Sequence, residues 1–477
     1  MRQPTRVSEA AARHAIIIGG GASGVLLAYQ LLRDPRSCFR VTLIEKRPEI
    51  GRGFAYHTAN PEHLLNVRAS NMSALPDDPE HFWRWLIAAE AKGSVKLASG
   101  HCSDPFCFVP RRIYGDYIAS LIGPLRAEDA APGRLSIIQG ECIALHESGA
   151  SVSAVIADGA CIDGDFAILA TGHDATSASP YADPWSTPAT AGLSKKARVL
   201  VLGTGLSMVD YVLSLMGEGH EGPIVAMSRH GLLSRAHRRV EPAKIDAADV
   251  PFGAEFSRLL RWFRGRVAAQ VAGHGDWRSV VDGIRPHTQR IWHELSLRSK
   301  QRFLEHARSW WDVHRHRMAP EVEAHIGQAI GSGRLTLIAA KLTGVEQRAG
   351  RALVLYRRRA QSKVESMEVA RIVDCTGLIR DPMQTTNPVL KSLFAQGLAR
   401  VDPLRIGIEV RMDCAVVDRH GAPSQRLFAV GPLTRAAFWE IMAIPDIRNQ
   451  CAELAARLTR AKTDTGALTG LAAQPAR

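Results

Sequence analysis

Residues 14–47 read HAIIIGGGASGVLLAYQLLRDPRSCFRVTLIEKR, and three short segments within them decide the fold. The apolar run Ala15 to Ile18 enters a turn in which Gly19, Gly21 and Gly24 stand in GxGxxG spacing, with Ala22 and Ser23 between them. An apolar, helix-compatible run follows from Val25 to Leu32, then a second apolar run, Val41 to Ile44, closed by Glu45 and Lys46. Strand, tight turn, helix and strand in this order make half of a dinucleotide-binding fold. The first glycine permits the turn, the second lets backbone approach a pyrophosphate, and the third lets helix and strand pack closely. The helix N-terminus, with free N–H groups and the positive end of its dipole, faces the phosphates. Glu45 lies 21 residues after Gly24, close to the ~20 expected for an acid that accepts ribose hydroxyls.

A second copy starts near Val199, in RVLVLGTGLSMVDYVLSLMG (198–217). Gly203 and Gly205 repeat the turn and Ser207 falls in the first helical turn, but Met208 takes the third glycine's place, which leaves a looser contact between helix and strand. The next apolar run, Ile224 to Ser228, ends at Arg229, 21 residues after Met208 and so at the offset that Glu45 occupies in the first copy. An acid there reads a free ribose hydroxyl, whereas an arginine suits a 2′-phosphate, so this site is expected to prefer NADPH over NADH.

The duplication extends further. Arg334-Leu-Thr-Leu-Ile338 echoes Arg134-Leu-Ser-Ile-Ile138, and Asp374-Cys-Thr-Gly377 echoes Leu169-Ala-Thr-Gly172. Each half therefore reads as glycine turn, connecting segment, β-meander and Thr-Gly end, a repeat in order and spacing together. The fold class is α/β with two Rossmann-like dinucleotide-binding domains, and the tryptophan-rich stretch of about 250–330 reads as a helical insertion. The polar lead-in of residues 1–13 and the alanine- and glycine-rich tail are expected to be loose.

A length of 477 residues with 46% apolar and 22% charged composition describes an ordinary globular protein of two or three domains. The net charge of +13 is spread along the chain; its densest runs, Arg235–Arg239 and Arg357–Arg359, are short and lack interleaved aromatics. A basic surface that attracts anionic cofactors and substrates is expected, with no nucleic-acid partner and no membrane. No apolar run approaches the ~18 residues of a membrane span, and no signal-like segment is visible, which points to the cytoplasm. The eight scattered cysteines fit reduced thiols. Cys102 and Cys107 have CxxxxC spacing, but they fall 57 residues after Glu45 and around a proline, so two unlinked thiols are expected. No metal-ligand spacing stands out; His314 and His316 read as surface groups and His57 and His63 as loop histidines that are candidate acid–base groups. Arg285, Arg290 and Arg298 are candidate anion contacts.

Seven motifs together resemble the flavoprotein superfamily with two dinucleotide-binding domains. They are GGGASG (19–24), GRGFAYHT (51–58), LLNVRASNMSALPDD (64–78), ATGH (170–173), GTGLSMVD (203–210), DCTG (374–377) and GPLTRAAFWEI (431–441). Within it the chain is similar to the FAD/NAD(P)-binding family that includes FAD-dependent urate hydroxylases and an aspartate N-monooxygenase. The resemblance implies FAD on the first fold and a nicotinamide cofactor on the second. It divides the chain into an FAD-binding part (14–180), an NAD(P)-binding domain with the helical insertion (195–370), and a return segment (371–458). Thr171-Gly172 and Gly377 resemble the points where the chain passes between cofactor domains. Gly431 and Pro432 resemble the place where a final helix, expected to run on to about Leu458, directs its N-terminus at the flavin. Asn66 resembles an asparagine that holds a peroxyflavin and the nicotinamide, with Asn71 a rival and a turn-fixing role the alternative. The implied function is a monooxygenase in which NADPH reduces FAD and a peroxyflavin hydroxylates a small, polar, nitrogen-containing substrate with oxygen. A flavoprotein reductase without oxygen insertion, or a flavin-bound scaffold, are the alternatives, and the oligomeric state is left open.

Overall fold

The computed structural model describes residues 12–97, 102, 104–126, 134–173, 179–185, 187–348, 350–377 and 381–468, with backbone alone for 461–468. Residues 1–11 of the lead-in and 469–477 of the tail lie outside these residues, and the last helix, expected to end near Leu458, continues to Leu468.

The apolar run ahead of the first glycine turn forms β1 (Arg13–Ile18), the helix through the turn is α1 (Ala22–Leu32), and the run ending at Glu45 is β2 (Phe39–Glu45). Further strands are β3 (Leu135–Gln139), β4 (Cys142–Glu147), β5 (Val152–Ile156), β6 (Cys161–Gly164) and β7 (Phe166–Leu169). In the second half come β8 (Val199–Leu202), α2 (Leu206–Gly217), β9 (Ile224–Ser228), α3 (Arg308–Arg315), β10 (Leu335–Arg348), β11 (Arg351–Arg358), β12 (Val364–Val369) and β13 (Arg371–Asp374). The chain then adds β14 (Ala415–Val417), β15 (Pro423–Ala429) and α4 (Ile444–Leu468).

Two six-stranded sheets result, in the orders β14-β15-β7-β1-β2-β3 and β12-β11-β10-β9-β8-β13, with β4-β5-β6 as a separate three-stranded sheet. The central strands β7, β1, β2 and β3 are parallel neighbours, as are β13, β8, β9 and β10. Strands such as β1 and β8 are buried almost throughout, as parallel strands covered on both faces must be. β13 pairs with β8, Asp374 opposite Leu202, so Arg371–Asp374 belong to the second sheet. The return segment begins after Gly377.

The two glycine turns are built alike. The Gly19 N–H donates to the carbonyl of Ile44 and the Gly203 N–H to that of Met227. Both first glycines sit at positive φ, +108° and +103°, and a Cβ would strike the carbonyl oxygen of Ala170 or Cys375 at 2.5 and 2.2 Å respectively. Glycine is thus required at both positions for the turn to lie against the Thr-Gly end of its own half. At the third position the copies part. A Cβ on Gly24 would lie 1.9 Å from the Gly19 carbonyl oxygen, whereas Met208 is completely buried in the second core.

Helices fill most of 256–331 and build a third body beside the two sheets. Trp292 stacks on Trp439, with ring centroids 4.5 Å apart, and its indole N–H donates to the Ala436 carbonyl, which fastens this body to the return segment. After Gly431 the chain does not continue as one helix. A short 3-10 turn, Gly431–Thr434, leads into further turns, and α4 begins only at Ile444.

Candidate dinucleotide and substrate cavities

Two large cavities, of about 630 and 710 Å³, lie between the sheets and share a wall. The first runs along the C-terminal ends of β1 and β2, where a doubly wound sheet binds its ligands. Its lining includes Gly19, Gly21, Ala22, Ser23, Glu45, Lys46, Thr171, Gly172, Gly377, Pro432 and Ile444. Glu45 accepts from the backbone N–H groups of Gly20 (2.7 Å) and Arg47 (2.9 Å), which fixes its carboxylate at the rim. Lys46 is exposed and pairs with Glu141 at 3.1 Å. The Thr171 hydroxyl is buried without a hydrogen-bond partner, and a Cβ on Gly21 would lie 3.3 Å from Gly53 Cα. A polar group waiting for a partner and a cradle that a side chain would fill both fit a dinucleotide threaded past the N-terminus of α1.

The second cavity is lined by Gly205, Ser207, Asn66, Arg229, Gly377 and Arg285, among others. Arg229 is exposed and has no carboxylate partner among the described residues. Asn66 presents a side-chain amide with no partner among the described residues, while its backbone carbonyl accepts from His237 Nε2 at 3.0 Å. Asn71 is exposed and lines neither cavity. Gly24, Gly203 and Gly431 are not among the lining residues either. They act from behind, as close backbone approaches, and the Gly431 N–H is taken by Gln450 Oε1 at 2.7 Å.

The two cavities meet at Phe54, Tyr56, His173, Trp185, Ser207, Gly377, Met442 and Ile444, which line both. The junction is mostly apolar, so water has little to hold it there. His173 stands out within it. Its Nδ1 is buried and unpartnered, and burial, with the Arg435 guanidinium as a second cause, pushes its pKa down to about 3. The imidazole is neutral at physiological pH. One wall of the second cavity comes from the helical body. There Arg308 pairs with Asp312 at 3.3 Å, His316 Nε2 lies 3.8 Å from Asp312, Arg315 pairs with Glu440 at 2.9 Å, and Arg285 pairs with Asp446 at 3.3 Å. Burial raises the Asp312 pKa despite the nearby His316 and Arg308.

Several sequence expectations are corrected here. His316 is half-buried on this wall rather than on the surface, and only Arg285 of the three candidate anion contacts reaches the cavity; Arg290 pairs with Glu294 and Arg298 is exposed. His63, a candidate acid–base group or a hydrogen-bonding loop histidine, lines neither cavity. It is buried, bonded to Thr58 Oγ1 (2.8 Å), Ser214 Oγ (2.9 Å) and the Asp210 carbonyl (3.0 Å), and ties the loop of the first domain to α2. His57 bonds the Phe54 carbonyl and lines neither cavity. Cys102 and Cys107 are joined in a disulfide, not two free thiols, because the loop folds back and brings their Cα atoms to 6.0 Å. The bridged loop backs the Asn66 segment, with Ala69 N–H donating to the Cys107 carbonyl and Leu65 N–H to that of Val109. The placement of Asp312 and His316 on this wall had no local signal; their i, i+4 spacing at the end of α3 is the one hint the sequence held.

Residues 16–174 match a family described as FAD-NAD(P)-binding. That segment carries the first glycine turn, the GRGFAYHT loop and the ATGH end. No curated protein sequence matches the chain. Solved structures similar to it include the ornithine N-hydroxylase of Kutzneria sp. 744 with reduced FAD, NADP+ and L-ornithine (15% identity, TM-score 0.63, covering 94% of this chain and 100% of that one). Others are the L-lysine 6-monooxygenase of Pseudomonas syringae (16%, 0.60, 94% and 99%) and the FAD-bound cadaverine monooxygenase of Erwinia amylovora (15%, 0.62, 94% and 94%). At these identities the likeness is one of fold, and it extends over both domains and the return segment. Among the described residues no helix is long and apolar enough to cross a membrane, and no cluster of three or more His, Cys, Asp or Glu could hold a metal ion.

Proposed function

We propose that the chain is an FAD-dependent, NADPH-using monooxygenase that hydroxylates a small, polar, nitrogen-containing molecule with oxygen. The observation that supports it most is the shared wall. Two cavities, each starting at its own glycine turn, converge on one largely apolar junction, and the second also faces a wall of paired charges. The structural neighbours that bind FAD or NADP+ and hydroxylate or oxygenate amines support the same reading. FAD supplies hydride acceptance from NADPH and activation of oxygen, chemistry that no side chain can provide.

The protein's share is binding, orientation and exclusion of water. The N–H groups of Ala22 and Ser23 at the head of α1 receive the FAD pyrophosphate, and Glu45 receives its ribose. Thr171 offers its unpartnered hydroxyl inside the same cavity, and Pro432 and the N-terminus of α4 close the far end. Gly205 and Ser207 take the NADPH pyrophosphate, and Arg229 takes the 2′-phosphate. Asn66 lines the second cavity with an unpartnered side-chain amide, a group able to donate to an oxygen bound there. Phe54 and Trp185 give the junction an apolar lining, which strengthens polar contacts made beside it. Arg308, Asp312 and His316 offer a guanidinium, a carboxyl group and an imidazole to a polar substrate. The FAD-binding unit comprises residues 14–180 and the return segment, and the protein works in the cytoplasm, with six of its eight cysteines free and Cys102–Cys107 as its one bridge.

Anaerobic mixing of the purified yellow protein with NADPH or NADH tests this reading. Rapid bleaching of flavin absorbance by NADPH, then oxygen uptake matched by hydroxylated product from a panel of amines, amino acids and purines, is expected. Bleaching without oxygen incorporation into any panel member would support the reductase alternative, and no bleaching by either nucleotide would refute the assignment of the second cavity.

A further inference from the structure

Arg357-Arg358-Arg359 is the densest cationic run in the second half of the chain, and the structure divides it between two uses. Arg358 is neutralised by Glu365 at 2.9 Å. Arg357 lies directly opposite Lys341 in the antiparallel β10–β11 pair, so the two cations share one face. Like charges directly opposite one another destabilise a strand pair. Neither has a carboxylate partner among the described residues, and neither do Arg359 and Arg229, although arginine–carboxylate pairs occur along most of the chain.

These four cations are drawn together by the sheet. β9 ends at Ser228, opposite Ala339 of β10, and Arg229 is the next residue. The Arg359 N–H donates to the Ala339 carbonyl at 2.8 Å, and the turn after Arg229 also lies on Ala339, where a Cβ on Gly231 would be 3.1 Å from its nitrogen. Burial, followed by the fields of Arg359 and then Arg229, pushes the His230 pKa down. Arg229, His230 and Lys341 line the second cavity together with Gly205. An uncompensated cationic patch thus stands at the end of β9, where a bound dinucleotide carries its adenosine ribose.

We propose that Lys341, Arg357 and Arg359, carried on the β10–β11 hairpin, join Arg229 to form the seat of the 2′-phosphate of NADPH. Cofactor preference then rests on the meander as well as on the residue that ends β9. A phosphate monoester carries nearly two negative charges at neutral pH, and three or four converging donors meet it better than one exposed arginine. The proposal rests on the reading of the second cavity as the nicotinamide site.

The test uses the flavin-loaded full-length protein and titration calorimetry with 2′,5′-ADP, 5′-AMP and inorganic phosphate. The wild type is expected to bind 2′,5′-ADP far more tightly than 5′-AMP, with a steep loss of affinity at high salt. Arg359→Ala and the double variant Lys341→Ala/Arg357→Ala should each weaken 2′,5′-ADP about tenfold, the scale of one charge-assisted contact, and leave 5′-AMP unchanged. Lys341→Arg should retain affinity and serves as the control for folding. Unchanged 2′,5′-ADP binding in both alanine variants, with preference lost only in Arg229→Ala, would overturn the proposal. Inorganic phosphate binding as tightly as 2′,5′-ADP would overturn it too, in favour of a general anion site. Failure of the wider reading looks different: neither NADPH nor NADH would then bleach the flavin, whatever 2′,5′-ADP does.

Discussion

Alanine at Gly205 separates the needs of the ligand from those of the fold. Gly205 has φ −86° and ψ −169°, an extended conformation open to any residue, and a Cβ there meets no heavy atom within 4 Å. Gly203, two residues earlier, has neither freedom. Gly205→Ala gains about 0.4–1 kcal/mol by restricting the unfolded chain and loses about 0.5–1 kcal/mol as a poorer N-cap, so folding stability is nearly unchanged. The added methyl instead projects into the second cavity at the head of α2, where the pyrophosphate must approach the backbone. Displacing it there breaks one charge-assisted hydrogen bond or more, at about 1.5–3 kcal/mol each, a loss of about 10- to 100-fold in NADPH affinity per bond. The assay is the NADPH concentration dependence of anaerobic flavin bleaching, with the melting temperature measured in parallel. Unchanged NADPH affinity in a protein of unchanged melting temperature would refute the second turn as a nucleotide cradle. A melting temperature lower by more than about 5 °C would refute the steric argument itself.

Glu45→Ala should lower the flavin-to-protein absorbance ratio of the purified protein by at least about tenfold in affinity terms, because the ribose loses its acceptor and the Gly20 and Arg47 N–H groups lose theirs. Met208→Ala should cost about 2–5 kcal/mol of stability in denaturant unfolding, since the side chain is fully buried, while the preference for NADPH over NADH stays as it was. Acid should destabilise the protein through His173 and His237, both pushed down to about 3, first by burial and then by Arg435 and Arg317 respectively. The unfolded chain takes up these protons below pH ~6.5 and the native state only near pH 3, so this stability is complete above ~6.5 and declines as pH falls between the two values. Melting temperatures measured from pH 7.5 to 4.5 should therefore drop in the lower half of the range, and His237→Gln should flatten the drop; a flat wild-type profile would refute it.

The glycine turns, the acid at the end of β2, the arginine at the end of β9 and the Thr-Gly ends were legible because each is set by backbone sterics over a few residues. Gly19 and Gly203 must be glycine wherever this turn meets this strand end, whatever surrounds them. Asp312, His316 and Arg308 were illegible for the opposite reason: they become a cavity wall only when a distant helical body docks against the return segment through Trp292 and Trp439. The closure of the Cys102–Cys107 loop likewise depends on its return to the segment that carries Asn66, not on spacing. The sheet that β13 joins was illegible for a similar reason, since it is decided by its partner β8. The turns at 435–443 escaped notice because an apolar, aromatic stretch suits a helix equally well until Glu440 is engaged by Trp311 and Arg315.

The wall formed by Arg285, Arg308, Asp312 and His316 belongs to one uninterrupted stretch of chain, whereas both glycine turns, Glu45 and Arg229 lie outside it. Inheritance can therefore treat the two as separate units. A lineage that exchanges or reshapes the helical insertion alters what the junction faces without disturbing either nucleotide seat, provided that Trp439 and Glu440 keep their partners. Divergence among enzymes of this architecture is then expected to concentrate in that insertion, with matched changes at those two positions, while the glycine turns stay fixed.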